Sequence, residues 1–376
     1  RLSKKIDTAV STISTFECAA EEIETGASQR DAGVSGKPAH LVDFFPPVPI
    51  FWLMTRLTIA YANHRPETLP LCQPLMEQHQ RIILEEPPHT LFPRMIRGQV
   101  STEDYLLDQD IEYPAFSQQQ CLMLQSFFSG GIELLQVEPY IEHLIQVQDF
   151  FAEGNGPENL DKSTLRYQVY LREKEATRTL IDFYQAARGD DFSHLIESVK
   201  NFAWADARRF ALRDQLRAQA IVNNLIDTQP TCVEAGPMHL LLYHNLRPLV
   251  PPDWSLKPVF VEHRGLQQLG LKSGLYGPGD QLTVHCLFQR QLQAEHADLL
   301  CARTLVFMKI VGQDEYSGQN GPFPHLRDEA RAASLVNKLS FEQCRLLFGK
   351  IRDRSAAAAA DLVREHLSGP PAKPLP

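Results

Sequence analysis

The chain of 376 residues carries 37 basic and 46 acidic side chains, which gives a net charge of -9 at neutral pH. With 43% hydrophobic and 22% charged residues, its composition is that of an ordinary globular protein and excludes a collagen-like or fully disordered chain. The acidic balance argues against nucleic-acid binding, because phosphate recognition needs a concentrated basic surface.

Seven cysteines are spread through the chain without a C-x-x-C pair. This spacing favours buried thiols in a reducing, cytoplasmic compartment over a zinc ribbon or a disulfide framework. The apolar stretch over 44–55 contains three prolines and is about half of the ~20 residues that a membrane-spanning helix needs. No integral membrane span is therefore predicted. Because the sequence begins with arginine, a signal peptide on a preceding segment stays open.

The N-terminal part of the sequence predicts an arm followed by a parallel sheet. Residues 1–44 are polar and form a loose arm, and prolines at 46, 47 and 49 follow it. Apolar strands over 57–62 and 81–84 are separated by a segment of helix length, which indicates a βαβ unit. Further strands are predicted over 132–137, 231–235 and 259–261, and helices over 103–129, 139–152, 165–187 and 191–227.

The pattern changes after residue 265. Glycines mark a turn near 274–279, residues 282–288 look like a strand, and helices are predicted over 294–310, 326–338 and 340–353, the last extended by alanines at 356–360. The fold class is therefore α/β, a mainly parallel sheet flanked by helices over 45–264, with a mostly helical C-terminal region over 265–368. Residues 369–376 form a proline-rich tail.

Several common catalytic motifs are absent from the sequence. It contains no G-x-x-x-x-G-K-[ST], no G-x-G-x-x-G after a predicted strand, no G-x-S-x-G and no H-E-x-x-H. A P-loop, a dinucleotide site, a standard nucleophile elbow and a zincin helix are therefore not expected.

Three polar residues fall at or just beyond predicted strand ends: His64, Glu85 and His239. The carboxyl ends of parallel strands form a common ligand crevice, so these residues are expected to converge there. Two imidazoles and a carboxylate suit either a divalent ion such as zinc or manganese or a general acid–base group. Gly236 lets the chain turn out of its strand towards helix amides that favour an anion. The structural alternative is a set of capping or solvated residues.

Three arginines, Arg209, Arg213 and Arg217, recur at i, i+4 spacing on one predicted helix. Guanidinium groups hold a carboxylate or phosphate bidentately. The alternative is a solvated face neutralised by Asp206 and Asp214. Glu138, after the third strand, is a further carboxylate at a strand end.

Two stretches carry a family resemblance. L-R-D-Q-L-R-A-Q-A-I over 212–221 precedes V-E-A-G-P-M-H-L-L-L over 233–242. Together, within about 57–260, they resemble the superfamily of TraB/PrgY-type proteins, Tiki proteases, ChaN-type haem-binding lipoproteins and erythromycin esterase-like enzymes. Members carry two G-x-x-H motifs at sheet edges, an early acidic residue and a helix arginine.

In this sequence G-P-M-H, ending at His239, matches the second motif, and Y-A-N-H, ending at His64, takes the place of the first with tyrosine in place of glycine. Glu85 and Arg213 match the acidic residue and the arginine. The resemblance implies a hydrolase in which His64, Glu85 and His239 bind a metal or activate water. Arg213 and Gly236 would hold an anionic group of a small-molecule or peptide ligand.

Two alternatives to a hydrolase stay open. The same fold without catalysis would hold haem or another anionic ligand, with a histidine on the iron and arginines on the propionates. An interaction or signalling protein would instead use the helices over 294–310 and 340–353 as its partner surface.

Overall fold

A computed structural model describes residues 56–107, 109, 111, 113–226, 229–271, 277–312, 314–316 and 321–369. The predictions for the arm over 1–44, the proline cluster, the turn at 274 and the tail from 370 onward lie outside these residues. Where helices are described, none has the length and apolar character that crossing a membrane requires.

The described strands form one parallel sheet, in the order β3-β2-β4-β1-β5. The strands are β1 (Arg56–Tyr61), β2 (Arg81–Leu84), β3 (Glu133–Gln136), β4 (Thr231–Ala235) and β5 (Ser255–Phe260). All five predicted strands that precede residue 265 are present. The last strand, β5, begins earlier than predicted and contains Pro258. Proline is tolerated there because β5 lies at the sheet edge, where one side of the strand makes no ladder hydrogen bonds.

Helices surround the sheet. In the described ranges they are α1 (Leu69–Met76), α2 (Phe92–Ile96), α3 (Thr102–Leu107), α4 (Pro114–Ser129), α5 (Pro139–Ala152), α6 (Leu165–Ala186), α7 (Phe192–Val222), α8 (Leu240–Leu246), α9 (Glu262–Gln268), α10 (Pro278–Leu287), α11 (Ala294–Ile310), α12 (Pro324–Val336), α13 (Phe341–Ile351) and α14 (Ala356–Ser368). This arrangement confirms the α/β class, with helices flanking a parallel sheet and a helical C-terminal region.

The two faces of the sheet have separate cores. Ile59 of β1 and Ile83 of β2 pack against α7 and α8, whereas Ile82 and Leu84 pack against α1 and α4. We call these the α7/α8 face and the α4 face. Because side chains alternate along a strand, residues that follow one another at the end of β2 point to opposite faces.

The C-terminal region shares its core with the longest helices of the preceding part. Leu180 and Phe183 of α6 and Phe202 of α7 belong to the same buried cluster as Leu305 of α11 and Val336 of α12. The helices beyond residue 265 therefore share one core with α6 and α7.

The strand predicted over 282–288 is wrong, because residues 282–287 lie in helix α10 and Phe288 follows its end. The buried Leu282, Thr283, Cys286 and Leu287 recur at helical spacing, which places one stripe of the helix in the core. Pro278 lies in the first turn of α10. A backbone N–H there would have no acceptor within the helix, so proline is tolerated at this position. Packing against the neighbouring helices therefore overrides the β-propensity of a short apolar run.

Candidate functional site

A cavity of about 320 Å³ opens at the carboxyl ends of β1, β2 and β4. It is lined by His64, Glu85, Arg213, Gly236 and His239, together with other residues of the same strand ends and of α4 and α7. The structure thus brings all five sequence-predicted site residues to one cavity, although they come from four separate segments of the chain.

His239 lies between two carboxylates. Its Nε2 is 2.7 Å from Oε1 of Glu85, and its Nδ1 is 2.5 Å from Oδ1 of Asp214. The other oxygen of Asp214 accepts the backbone N–H of Leu242, at 3.0 Å, in the first turn of α8. The ring edge also meets Phe210, with 5.2 Å between centroids. These contacts fix the imidazole in one orientation.

Arg213 bridges two buried carboxylates. Its Nη2 donates to Oε1 of Glu85 at 2.9 Å, and its Nε is 3.1 Å from Oε2 of Glu138. Behind it, Arg217 is fully buried and donates to the backbone oxygens of Val137 and Glu234. The solvated alternative for this row of arginines is therefore wrong.

Arg209, the first residue of the row, does not line the cavity. It is paired with Asp206 at 2.8 Å and lies 3.8 Å from Glu173. Of the three arginines, Arg213 is the one that lines the cavity, and it also contacts the predicted site residue Glu85.

The ionisation of Glu85 and His239 follows from these contacts. Burial is the largest influence on the pKa of Glu85 and acts to raise it, but the charges of His239 and Arg213 outweigh it and hold the pKa well below the ordinary value. Burial likewise opposes protonation of His239, yet the carboxylates of Glu85 and Asp214 raise the pKa of the imidazole to about 9. At neutral pH the two groups are a carboxylate and an imidazolium.

Gly236 has a different role from the predicted one. Its backbone N–H donates to Oε2 of Glu85, so the protein's own carboxylate takes the place expected for an anionic ligand. A Cβ added at Gly236 would lie 3.5 Å from the ring of His239 and 3.6 Å from Oε2 of Glu85, which are ordinary contact distances. Gly236 therefore serves to bring its backbone N–H close to the carboxylate of Glu85.

His64 lies at the rim of the cavity. Its side chain is exposed, and its ring stacks on Phe116 with 5.2 Å between centroids. The preceding residue, Asn63, donates its backbone N–H to Glu262 of α9, which anchors the loop that carries His64. This loop brings His64 to the same cavity as Glu85 and His239.

The predicted metal set of His64, Glu85 and His239 is not assembled as a metal centre. Both ring nitrogens of His239 face carboxylates, and Glu85 binds a guanidinium, an imidazole and a backbone amide. Among the described residues no group of three or more His, Cys, Asp or Glu side chains is arranged to hold a metal. A haem iron would also need an imidazole nitrogen with an available lone pair, which His239 does not offer.

The α4 face of the cavity carries two carboxyl groups that sequence reasoning missed. Glu234 accepts from Nε2 of Gln120 at 2.8 Å and from the backbone N–H of Glu85 at 3.4 Å, and Glu86 accepts from Nε2 of Gln136 at 2.8 Å. Burial, and then the charges of Glu86 and Glu85, raise the pKa of Glu234 to about 8. Burial also raises the pKa of Glu86.

The sequence contained one signal for Glu234, a charged residue inside the otherwise apolar strand T-C-V-E-A. Such a position in a buried parallel strand is unusual, because these strands are normally apolar on both faces.

Comparison with known proteins finds a relative of similar extent. An uncharacterized protein of Archaeoglobus fulgidus is 28% identical over 293 residues, which are 78% of this chain and 97% of that protein. The similarity is longer than the predicted domain over 45–264 and therefore extends beyond it. No family model matches the chain, and no solved structure matches it.

Proposed function

We propose that the protein is a hydrolase-type enzyme that performs acid–base chemistry on a small polar substrate in this cavity. The observation that carries the proposal is the convergence of His64, Glu85, Arg213 and His239 on one cavity of about 320 Å³. That volume lies at the lower end of the ~300–1,000 Å³ range of small-molecule sites.

In this proposal His239 supplies a proton or a charged hydrogen bond. Asp214 orients the ring through Nδ1, so Nε2 points towards Glu85 and the cavity. Because its pKa is raised to about 9, the ring is protonated at neutral pH and acts as a donor, not as a base. Because Nε2–H faces Glu85 and Nδ1–H faces Asp214, a substrate oxygen that develops negative charge would share or take over the Nε2–H hydrogen bond to Glu85.

Glu85 and Arg213 fix the positions of the charged groups in the site. With its pKa held well below the ordinary value, Glu85 is a weak proton acceptor, so its role is electrostatic. It joins the imidazolium, the guanidinium and the amide of Gly236. Arg213 is paired with both Glu85 and Glu138, so it keeps the carboxylate of Glu85 in place instead of binding an anionic substrate group.

His64 is the residue to which we assign the general base. It is the second imidazole of the cavity, it is exposed, and its loop is anchored through Asn63. Histidine is the side chain most often used for proton transfer near neutral pH. The resemblance to the TraB, Tiki, ChaN and erythromycin esterase-like superfamily supports the same set of residues.

The experiment is a hydrolysis screen of the full chain with chromogenic esters, amides and phosphate esters. We expect turnover of at least one class, and we expect His64→Ala and His239→Gln each to lower kcat/KM by about 10²–10⁴. The matched control is His296→Ala, since His296 is an exposed histidine on α11, outside the cavity lining.

Turnover that survives both substitutions would place the chemistry elsewhere in the protein. A ligand that binds in the cavity while all three substrate classes remain intact would favour the alternative of a binding protein. A Soret band on addition of haem would identify that alternative as haem binding.

A further inference from the structure

We propose that the ligand of this cavity carries a cationic nitrogen, an ammonium or alkylammonium group, which Glu86 and Glu234 bind on the α4 face. The inference deepens the proposed function and rests on it only in taking this cavity as the substrate site. It names the substrate class: small amines, with the reacting group towards His239 and the cation towards the two carboxyl groups.

The distribution of charge in the cavity is the first reason. The cations that line it, Arg213 and His239, are already bound by Glu85, by Glu138 and by Asp214. With Arg217, which lies 3.6 Å from Glu85 and 3.7 Å from Glu138, three cations face three carboxylates, so the α7/α8 face of the cavity is balanced. An anionic ligand would have to compete with carboxylates that the protein itself supplies.

The α4 face of the cavity, in contrast, carries carboxyl groups that no described cation pairs with. Glu86 and Glu234 accept hydrogen bonds from side-chain amides and from a backbone N–H. Within the described residues neither forms an ion pair, although the charge of His89 acts on Glu86 and that of Arg217 on Glu234 without overcoming burial. Glu234 is only 6% exposed, and a buried carboxyl group without a cation keeps its proton. A ligand cation is what this side of the cavity lacks.

The walls of the cavity are the second reason. Tyr113, Phe116 and Phe210 line it. Arg65 lies over the ring of Tyr113, Arg209 over that of Phe210, and His64 stacks on Phe116, so an ammonium group would gain about 0.5–2 kcal/mol from a ring face that these side chains leave open. Asn63 also lines the cavity, and its side-chain oxygen is buried and accepts no hydrogen bond from any described residue. It is a further acceptor for the N–H groups of an amine.

The test uses benzylamine, which is a cation at neutral pH, and benzyl alcohol, its neutral counterpart of similar shape. Calorimetric titration of the full chain should give a dissociation constant at least about tenfold lower for the amine. Binding should release protons, because the cation lowers the pKa of the carboxyl groups it contacts. The proton release is measured by repeating the titration in buffers of different ionisation enthalpy.

Variants locate the effect. Glu234→Gln and, separately, Glu86→Gln should each weaken benzylamine binding about tenfold, remove part of the proton release and leave benzyl alcohol unchanged. The control is Glu365→Gln, because Glu365 is an exposed glutamate on α14. The use of two variants guards against one of them failing to fold.

Equal affinity for the amine and the alcohol, or amine binding that both variants leave intact, would overturn the inference. The outcome is separable from that of the hydrolysis screen. Hydrolysis without selective amine binding removes this inference alone, whereas selective amine binding without hydrolysis removes the proposed reaction and keeps the binding site.

Discussion

Glu85 and Glu86 are neighbours in the chain, yet they belong to two regions with opposite electrostatics. On the α7/α8 face, Glu85 contacts Arg213 and His239 and is ionised. On the α4 face, Glu86 contacts the amide of Gln136, and burial raises its pKa. Both side chains line the same cavity.

The difference shows that residue type alone does not set the chemistry of a carboxyl group. Alternation at the end of β2 sends consecutive side chains to opposite faces, and each face offers a different partner. Helix α7 supplies guanidinium groups to one face, and α4 supplies the amide of Gln120 to the other. Burial acts to raise the pKa of both groups, so the charged partners decide the direction of the net shift.

The largest expected effect is the difference in stability between two Glu→Gln variants, one on each face of the cavity. Glu85→Gln leaves Arg213 and His239 facing a neutral amide, and we expect a loss of about 3–5 kcal/mol in the free energy of unfolding, as for other broken buried ion pairs. Glu86 forms no ion pair with a described residue and burial raises its pKa, so Glu86→Gln, which keeps an oxygen that accepts from Gln136, should change the free energy of unfolding by less than about 1 kcal/mol. Urea denaturation at neutral pH measures both. Equal losses in the two variants would show that the sides do not differ.

A second effect distinguishes the sides by pH. The pKa of Glu234 is about 8 in the folded protein against an ordinary value of 4.5, so the folded state holds this proton more tightly than the unfolded chain. Its contribution to stability is complete below pH 4.5 and is lost as the pH rises to about 8. Glu234→Gln lacks this loss, so its stability relative to wild type should rise by roughly 2–4 kcal/mol across that interval.

Denaturation curves of both proteins between pH 5 and pH 9 measure this change. The contribution of His239 also declines with pH, but over a higher interval, from about 6.5 to about 9, and it is common to both proteins. A stability difference that does not vary with pH would mean that Glu234 is ionised throughout.

The sequence predicts the sheet well because its strands are buried. Residues 81–84 and 231–235 are short apolar runs bounded by polar or proline residues, and such runs in a βαβ order indicate a parallel sheet. The error at 282–288 has the same origin, since a short apolar run fits a buried helix equally well. Only the packing of α10 against α7 and α11 distinguishes the two.

The site was predictable where it depends on strand ends and not where it depends on helix packing. His64, Glu85 and His239 follow from the rule that strand ends converge. Asp214 and Glu138, in contrast, acquire their roles because α7 places Asp214 against His239 and Arg213 between Glu138 and Glu85. No periodicity in the sequence reports which carboxylate a helix will meet.

The smallest effect tests whether the two sides are independent. Gln120→Met keeps the length of the side chain but removes the donor to Glu234, and a lost hydrogen bond of this kind lowers the free energy of unfolding by about 1 kcal/mol. The pKa of His239, followed by NMR of its ring protons, should stay near 9. Gln119→Met, an exposed neighbour on α4, is the control.

The described link between the sides is the backbone N–H of Glu85, which donates to Glu234 at 3.4 Å. A fall in the His239 pKa in the Gln120 variant would mean that this long hydrogen bond joins the two sides into one network, and the substrate cation would then act on the proton donor as well as on its own subsite.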